Sequence, residues 1–365
     1  MKKRVLGIDI IKGISIFLVV FYHTITSNYI KPEAFFDYLG AFLLNAFFFA
    51  AGWVYAYSSK TNYNRIAVTK KIVVLGIPYI VLSLLAIIYQ CIIGTVLGNN
   101  FISDVYQGKE LLLRNIYCAV SLTGIGTLWF LPVILIANLF LMLCINKAYA
   151  KKKASVILGV VCFIAFAVYI LFVDRIEINI VNTATKILSE EIRFVNRIVV
   201  GCAYILLGYL TNKLLSKLDK GNGVNVIIGI VCLIVGVILY NLNVEVYKIF
   251  YTLSECLIVI FLCEFKWIGI LTKPISYLGR NSLYIMVVHY IFVQPVVMKA
   301  IWGSYYMMNT SVLQKREVLF VVEWIVTIGI IEIGKRFDDF LFLFGKGERF
   351  EKLTRRILRR SKYHG

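Results

Sequence analysis

Few side chains in this sequence can do acid–base chemistry, and the most suggestive set lies near its start. Asp9, Lys12 and His23 punctuate one apolar run, RVLGIDIIKGISIFLVVFYH, from Arg4 to His23. Asp9 and Lys12 are three residues apart and share a helical face. Lys12 and His23 are eleven apart; at about 100° per residue that is roughly three turns, so both point the same way, about 16 Å apart along the axis. Ionisable groups in a membrane-spanning helix are costly and usually face a bundle interior or a wet cavity. A histidine's ordinary pKa, near 6.5, suits His23 to general-base work at neutral pH. A buried histidine bonded to a neighbouring helix would look the same in sequence. Lys12 can pair with Asp9, hold an anion such as a phosphate, or snorkel to the headgroups. The run reads as one wall of a reaction chamber that the rest of the chain closes.

Other polar residues are scattered through apolar runs. Asn45 sits in FLLNAFFFAAGWVYAY, where Ala50, Ala51 and Gly52 allow close helix contact. Trp129 and Pro132 fall in TGIGTLWFLPVILIANLF; the tryptophan fits an aromatic belt, and the proline frees backbone carbonyls. Arg193 and Arg197 share a face, and Arg197, the deeper one, needs a carboxylate or an anionic ligand. Glu255, Glu323 and Glu332 are the acids available to Arg197 and Lys12; Glu323 and Glu332, nine residues apart, point to opposite faces. A second informative stretch is PISYLGRNSLYIMVVHYIFVQP. There Asn281 or Ser282 is an N-cap candidate. His289 follows about two turns in, either as a structural group or facing the cavity of His23. No metal site is expected: three histidines are widely spaced, and eight cysteines contain no CxxC pair. Cys118 alone falls in an expected loop.

These residues must be held by a membrane framework. Of 365 residues 60% are hydrophobic and 16% charged, and the mean hydropathy is +0.82, outside the range of soluble domains. The fold class is all-α and polytopic. About ten spans are expected, near 8–28, 35–57, 71–94, 127–147, 155–173, 194–213, 223–241, 247–264, 278–298 and 318–336. The first run has no cleavage site behind it and is expected to be kept. Residues 1–342 form the membrane domain and 343–365 a basic tail. The net charge of +19 is spread over short loops and the tail, which argues for topology and anionic lipid rather than nucleic acid. Alternate loops are basic (Lys60, Arg65, Lys70 and Lys71; Lys147 and Lys151–Lys153; Lys213, Lys217 and Lys220; Lys266, Lys273 and Arg280), so both termini are expected in the cytoplasm of a cell-membrane protein. Within the outer loop near 95–126, VYQGKELLLRNIYCAV reads as an amphipathic helix lying on the membrane. The tail from Gly345 reads as a basic interfacial helix.

Three stretches resemble the acyltransferase 3 family of bacterial integral membrane acyltransferases: DIIKGISIFLVVFYH at Asp9–His23, TLWFLPV at Thr127–Val133 and LGRNSLYIMVVH at Leu278–His289. The resemblance spans nearly the whole chain. It implies an enzyme that moves an acyl group, most often acetyl from acetyl-CoA, onto a hydroxyl of a cell-surface polysaccharide, a lipid-linked glycan or another acceptor, with no permanently bound cofactor. It identifies His23 with the family's signature histidine and Lys12 with its signature basic residue, as in the lysine-bearing branch. KKIVVLGIPY supplies Lys70, Lys71, Pro78 and Tyr79 of a family run before the third span, but Val74 stands where arginine is expected. Joined to the residues, this gives a donor approaching Lys70, Lys71 and Lys12 from the cytoplasm, His23 as base or acyl carrier, and Arg197 or Asn45 stabilising the oxyanion. The rival class is a transporter or flippase for a sugar precursor or small anion, which the buried charges also fit; no inverted repeat or pair of broken helices supports it.

Overall fold

The computed structural model describes residues 6–25, 40, 42–57, 65–97, 108–150, 183–218, 223–263, 269–304 and 311–363. Among them every regular element is a helix and there is no strand. Six helices are long and apolar enough to cross a membrane: Leu6–Thr24, Ile66–Val96, Gly126–Ile145, Leu188–Ser216, Gly223–Asn241 and Ser282–Trp302. The chain is an all-α membrane protein. The expected span at 155–173, the basic residues Lys2, Lys3, Arg4, Lys60, Lys151–Lys153, Lys220 and Lys266, and His364 lie outside the described residues. Expected spans 2, 8 and 10 correspond to helices that are shorter or more charged than those six.

The chain forms two units, each assembled from separate segments. The first comprises 1–18, 32–63 and 136–282. It contains the start of α1 (Leu6–Ile25), α2 (Asn45–Tyr57), α6 (Thr183–Leu218), α7 (Gly223–Asn241), α8 (Tyr247–Leu262) and α9 (Gly269–Arg280), with most of α5 (Phe130–Ala150). Its core gathers Ile8 and Ile11 from α1, Phe49 and Trp53 from α2, and Leu257 and Ile260 from α8. Small residues bring the backbones together, as expected where lipid is as apolar as the helices. A methyl on Gly52 would overlap the Ile205 carbonyl, and one on Gly208 the Phe49 carbonyl, so α2 and α6 touch main chain to main chain. The same holds for α1 and α9: Gly13 abuts the Ile275 carbonyl and Gly279 that of Asp9. On α7 the buried residues are Gly229, Cys232 and Gly236, while Ile227, Ile230, Ile234 and Ile238 are exposed. That is the pattern of a lipid-facing helix.

The second unit comprises 19–31, 64–135 and 283–365. It contains the end of α1, α3 (Arg65–Leu97), α4 (Gly108–Val120), a 3-10 turn (Gly126–Trp129), most of α10 (Ser282–Val287), a π-helical segment (Val288–Val293), α11 (Gln294–Trp302), α12 (Val312–Gly334), α13 (Asp338–Leu343) and α14 (Gly347–Tyr363). A capping box starts α12: Ser311 Oγ accepts from Gln314 N, and Gln314 Oε1 from Ser311 N. Asp338 closes the α13–α14 hairpin by accepting the Glu348 and Arg349 amides at 2.7 and 3.1 Å. Pro78, inside α3, has no N–H for the Val74 carbonyl. Gly345, in a left-handed conformation (φ 69°), comes up against that carbonyl; a methyl there would fall 2.9 Å from it.

The amphipathic segment and the tail both pack on α3. Tyr79 donates to the Cys118 and Ala119 carbonyls and Asn115 donates to Gln90, so α4 packs against residues of the span Ile66–Val96. Leu113 and Val120 remain exposed, and Cys118, expected in a loop, is buried. The irregular backbone after it is covered by protein at Thr123 and Ile125. The tail helix is held in a similar way. Phe350 and Thr354 of α14 are buried, and α14 packs on α3. Its apolar face is spent on protein, which leaves a charged face outward.

Candidate functional site

The last carbonyls of any helix lack partners within it. At the end of α1 two are taken by side chains: Gln294 Nε2 donates to His23 O at 3.2 Å, and Arg316 Nη1 donates to Thr24 O at 2.9 Å. Thr24 Oγ1 donates back to Val20 O at 2.8 Å, and the Phe21 ring sits edge-on to Phe320 at 5.8 Å. The backbone that carries His23 is therefore fixed by α11 and α12.

The His23 ring lies 4.5 Å from the Tyr290 ring and 5.6 Å from the His289 ring, centroid to centroid. Both neighbours come from the π-helical segment. Such segments are rare and concentrate at functional sites. His289 is fully buried, with Nδ1 2.6 Å from the Ile285 carbonyl. A carbonyl only accepts, so Nδ1 carries the proton and, in the neutral ring, Nε2 carries the lone pair. Nε2 has no hydrogen-bond partner among the described residues. The adjacent carbonyl, Met286 O, accepts from Thr127 Oγ1 at 2.9 Å. One wide turn thus orients a histidine and docks a second segment.

That second segment follows α4. Leu122, Gly124 and Gly126 have positive φ (69°, 81° and 54°), and Gly124 N donates to Cys118 O at 2.9 Å. The turn needs glycine for space as well as for φ. A methyl on Gly124 would overlap the Trp129 backbone, and one on Gly126 would lie 3.1 Å from the Tyr290 ring. Tyr290 is therefore held between Gly126 and His23, and the Arg114 guanidinium of α4 acts electrostatically on its hydroxyl. The three stretches quoted from the sequence each send a residue here: His23, Thr127 and His289.

The remaining expected site residues are distributed more widely. Asp9 and Lys12 lie on the α1 segment that packs against α9 in the first unit, Asp9 buried and Lys12 half-buried. Asn45 starts α2, Arg197 is on α6 and Glu255 on α8, all in that unit. Glu190, on the same helix, acts electrostatically on Arg197. Glu255 acts electrostatically on Tyr204 and Tyr251. Lys70 and Lys71 occupy the first turns of α3, and Trp129 closes the 3-10 turn, edge-on to Phe130. Asn281 does not cap α10 through its side chain as expected: Nδ2 donates to Tyr277 O at 2.9 Å, which closes α9, and Ser282 then begins α10. Tyr290, Gln294 and Arg316 were not singled out in the sequence. Tyr290 follows His289 directly, whereas nothing local marks Gln294 or Arg316, because their partners are main-chain carbonyls far away in sequence.

The class defined by this fold and site is a membrane protein with a histidine pair set in a distorted span. The acyltransferase 3 family model, an acyltransferase domain, matches residues 5–325, and the chain belongs to that family. It is a membrane acyltransferase. No curated protein and no solved structure gives a match.

Proposed function

We propose that the protein transfers an acetyl group from cytoplasmic acetyl-CoA to a hydroxyl of a cell-surface polysaccharide or lipid-linked glycan. In this reading it spans the cell (inner) membrane about ten times with both termini in the cytoplasm. The observation that carries the proposal is His23, pinned at the end of α1 and set against His289 and Tyr290. His23 takes the proton from the acceptor hydroxyl as that oxygen attacks the thioester carbonyl. The C–O bond forms, the C–S bond breaks, and the proton passes from His23 to the departing thiolate. General-base assistance of this kind contributes about 10²–10⁴-fold; positioning and oxyanion stabilisation supply the rest.

His289 acts through His23. Its Nε2 lone pair can accept the N–H of His23, which sets the tautomer and aims the other nitrogen at the acceptor, as the orienting group does in a catalytic triad. The donor's phosphates meet a basic end of the second unit. Lys70 and Lys71 stand one turn before Val74, and the contact of Gly345 with Val74 and Pro78 sets Lys346 beside that stretch. This offers a cation near the position where Val74 replaces the expected arginine. Lys12, Asn45 and Arg197 remain candidates for anion contacts, and membrane lipid is the other partner.

The test is release of CoA from acetyl-CoA by purified protein in nanodiscs, wild type against His23→Ala. Release in the wild type and its loss in the variant are expected, followed by transfer of labelled acetyl to surface glycan. Full activity in a folded His23→Ala protein would remove the catalytic role.

A further inference from the structure

Glu323 on α12 takes no part in the chemistry above, yet it is fully buried, and neither carboxyl oxygen has a hydrogen-bond partner among the described residues. One turn further on, Thr327 is 1% exposed and its hydroxyl is in the same state. Another such group is His289 Nε2. Buried polar atoms without partners are costly, and more so at membrane depth.

The three belong to one neighbourhood of the second unit. α12 packs against the π-helical segment and α11, and it is tied to that side at both ends. Near its start, Arg316 reaches Thr24 O, beside the Gln294–His23 bond. At its end, Lys335 lies over the Tyr284 ring at 6.0 Å. Between these ties His289 lies on one element and Glu323 and Thr327 on the other. Lys335, which also pairs with Glu332, is joined over Tyr284 by Lys346, 4.3 Å from the ring centroid.

We infer that Glu323 and Thr327 form the binding row for the amide-bearing pantetheine arm of the acyl donor, which ends beside His289 and has its phosphates at Lys335 and Lys346. This rests on the acyl-CoA reading. The row offers two carboxyl oxygens and one hydroxyl that both donates and accepts. It suits a chain whose middle carries amide N–H groups and whose far end is anionic. The length agrees. Lys335 is twelve residues from Glu323, about 18 Å along the helix, and the arm is about as long as five extended residues, roughly 16–18 Å. A thioester at the end of that arm arrives beside His289, next to His23.

The experiment measures equilibrium binding of two fragments, pantetheine and 3′,5′-ADP, to the full chain in nanodiscs, alongside CoA release from acetyl-CoA. Glu323→Gln and Thr327→Val are close in size to the native residues, and Thr327→Ser restores the hydroxyl. Pantetheine binding should weaken about tenfold in Thr327→Val and return in Thr327→Ser, as for loss of one buried hydrogen bond; Glu323→Gln should weaken it as well, and 3′,5′-ADP binding should hold in all three. Wild type that fails to bind pantetheine, or variants that bind it as wild type does, would overturn the inference. Release of CoA with pantetheine binding unaffected leaves the acyltransfer reading standing and removes this site. The site stands without that reading if binding behaves as expected but no CoA is released.

Discussion

The hydroxyl of Thr127 donates to the carbonyl of Met286 across 2.9 Å, bridging 159 positions of sequence. The bond fastens the buried turn after α4 to the distorted span that carries His289 and Tyr290. Replacing Thr127 by Val would remove this bond to a buried carbonyl, at about 0.5–1.5 kcal/mol. Thr127→Val should unfold at lower temperature and lose most acyltransfer activity, with Thr127→Ser close to wild type in both; thermal unfolding in nanodiscs and a CoA-release assay check this.

His23 and His289 should fail differently. His23→Ala removes the proposed base and is expected to lower kcat by about 10²–10⁴-fold with little change in KM for acetyl-CoA. His289→Asn keeps a donor for Ile285 O but alters the group facing His23, so a smaller fall in kcat is expected. Equal losses in the two variants would mean that His289 is not merely orienting. Steady-state kinetics of both proteins decides.

Gln294 and Arg316 cap the end of α1 without touching the chemistry. Gln294→Leu and Arg316→Met should each cost roughly 1–2 kcal/mol, as for loss of a hydrogen bond to a buried carbonyl. They should reduce kcat, because a base displaced by an ångström is poorly aligned. Arg316→Lys should recover part of the loss. Comparing thermal stability with kcat across the three variants tests this.

Gly52 and Gly208 let α2 and α6 meet backbone to backbone. Alanine at either position needs the helices to separate, and overpacking of this kind typically costs about 1–3 kcal/mol. Gly208→Ala is expected to lower the yield of folded protein in detergent, whereas Gly223→Ala, whose added methyl meets nothing within 4 Å, should not. Size-exclusion profiles of the two variants give the answer.

Asp338 holds the hairpin of α13 and α14 through two amides. Asp338→Ala should loosen α14 by about 0.5–2 kcal/mol, the usual range for a lost cap, while the membrane spans stay folded. Limited proteolysis should then cut the tail faster than in the wild type.

Composition alone determined that this chain lives in a membrane as helices, since apolar runs of about twenty residues have few other uses. The residue types at His23, Thr127 and His289 and their surrounding motifs carried the acyltransferase resemblance, which the family match bears out. Three things lay beyond sequence. The packing of VYQGKELLLRNIYCAV on α3 depends on Tyr79 and Gln90 finding partners in that segment, a long-range choice that amphipathic patterning does not encode. The π-helical turn depends on tertiary contacts such as the Thr127–Met286 bond, because no local propensity distinguishes VHYIFV from an ordinary α-helical run. The burial of Glu323 but not Glu332 is decided by which face of α12 meets α11 and the π-helical segment. Sequence spacing put the two acids on opposite faces, and only packing chose the inner one.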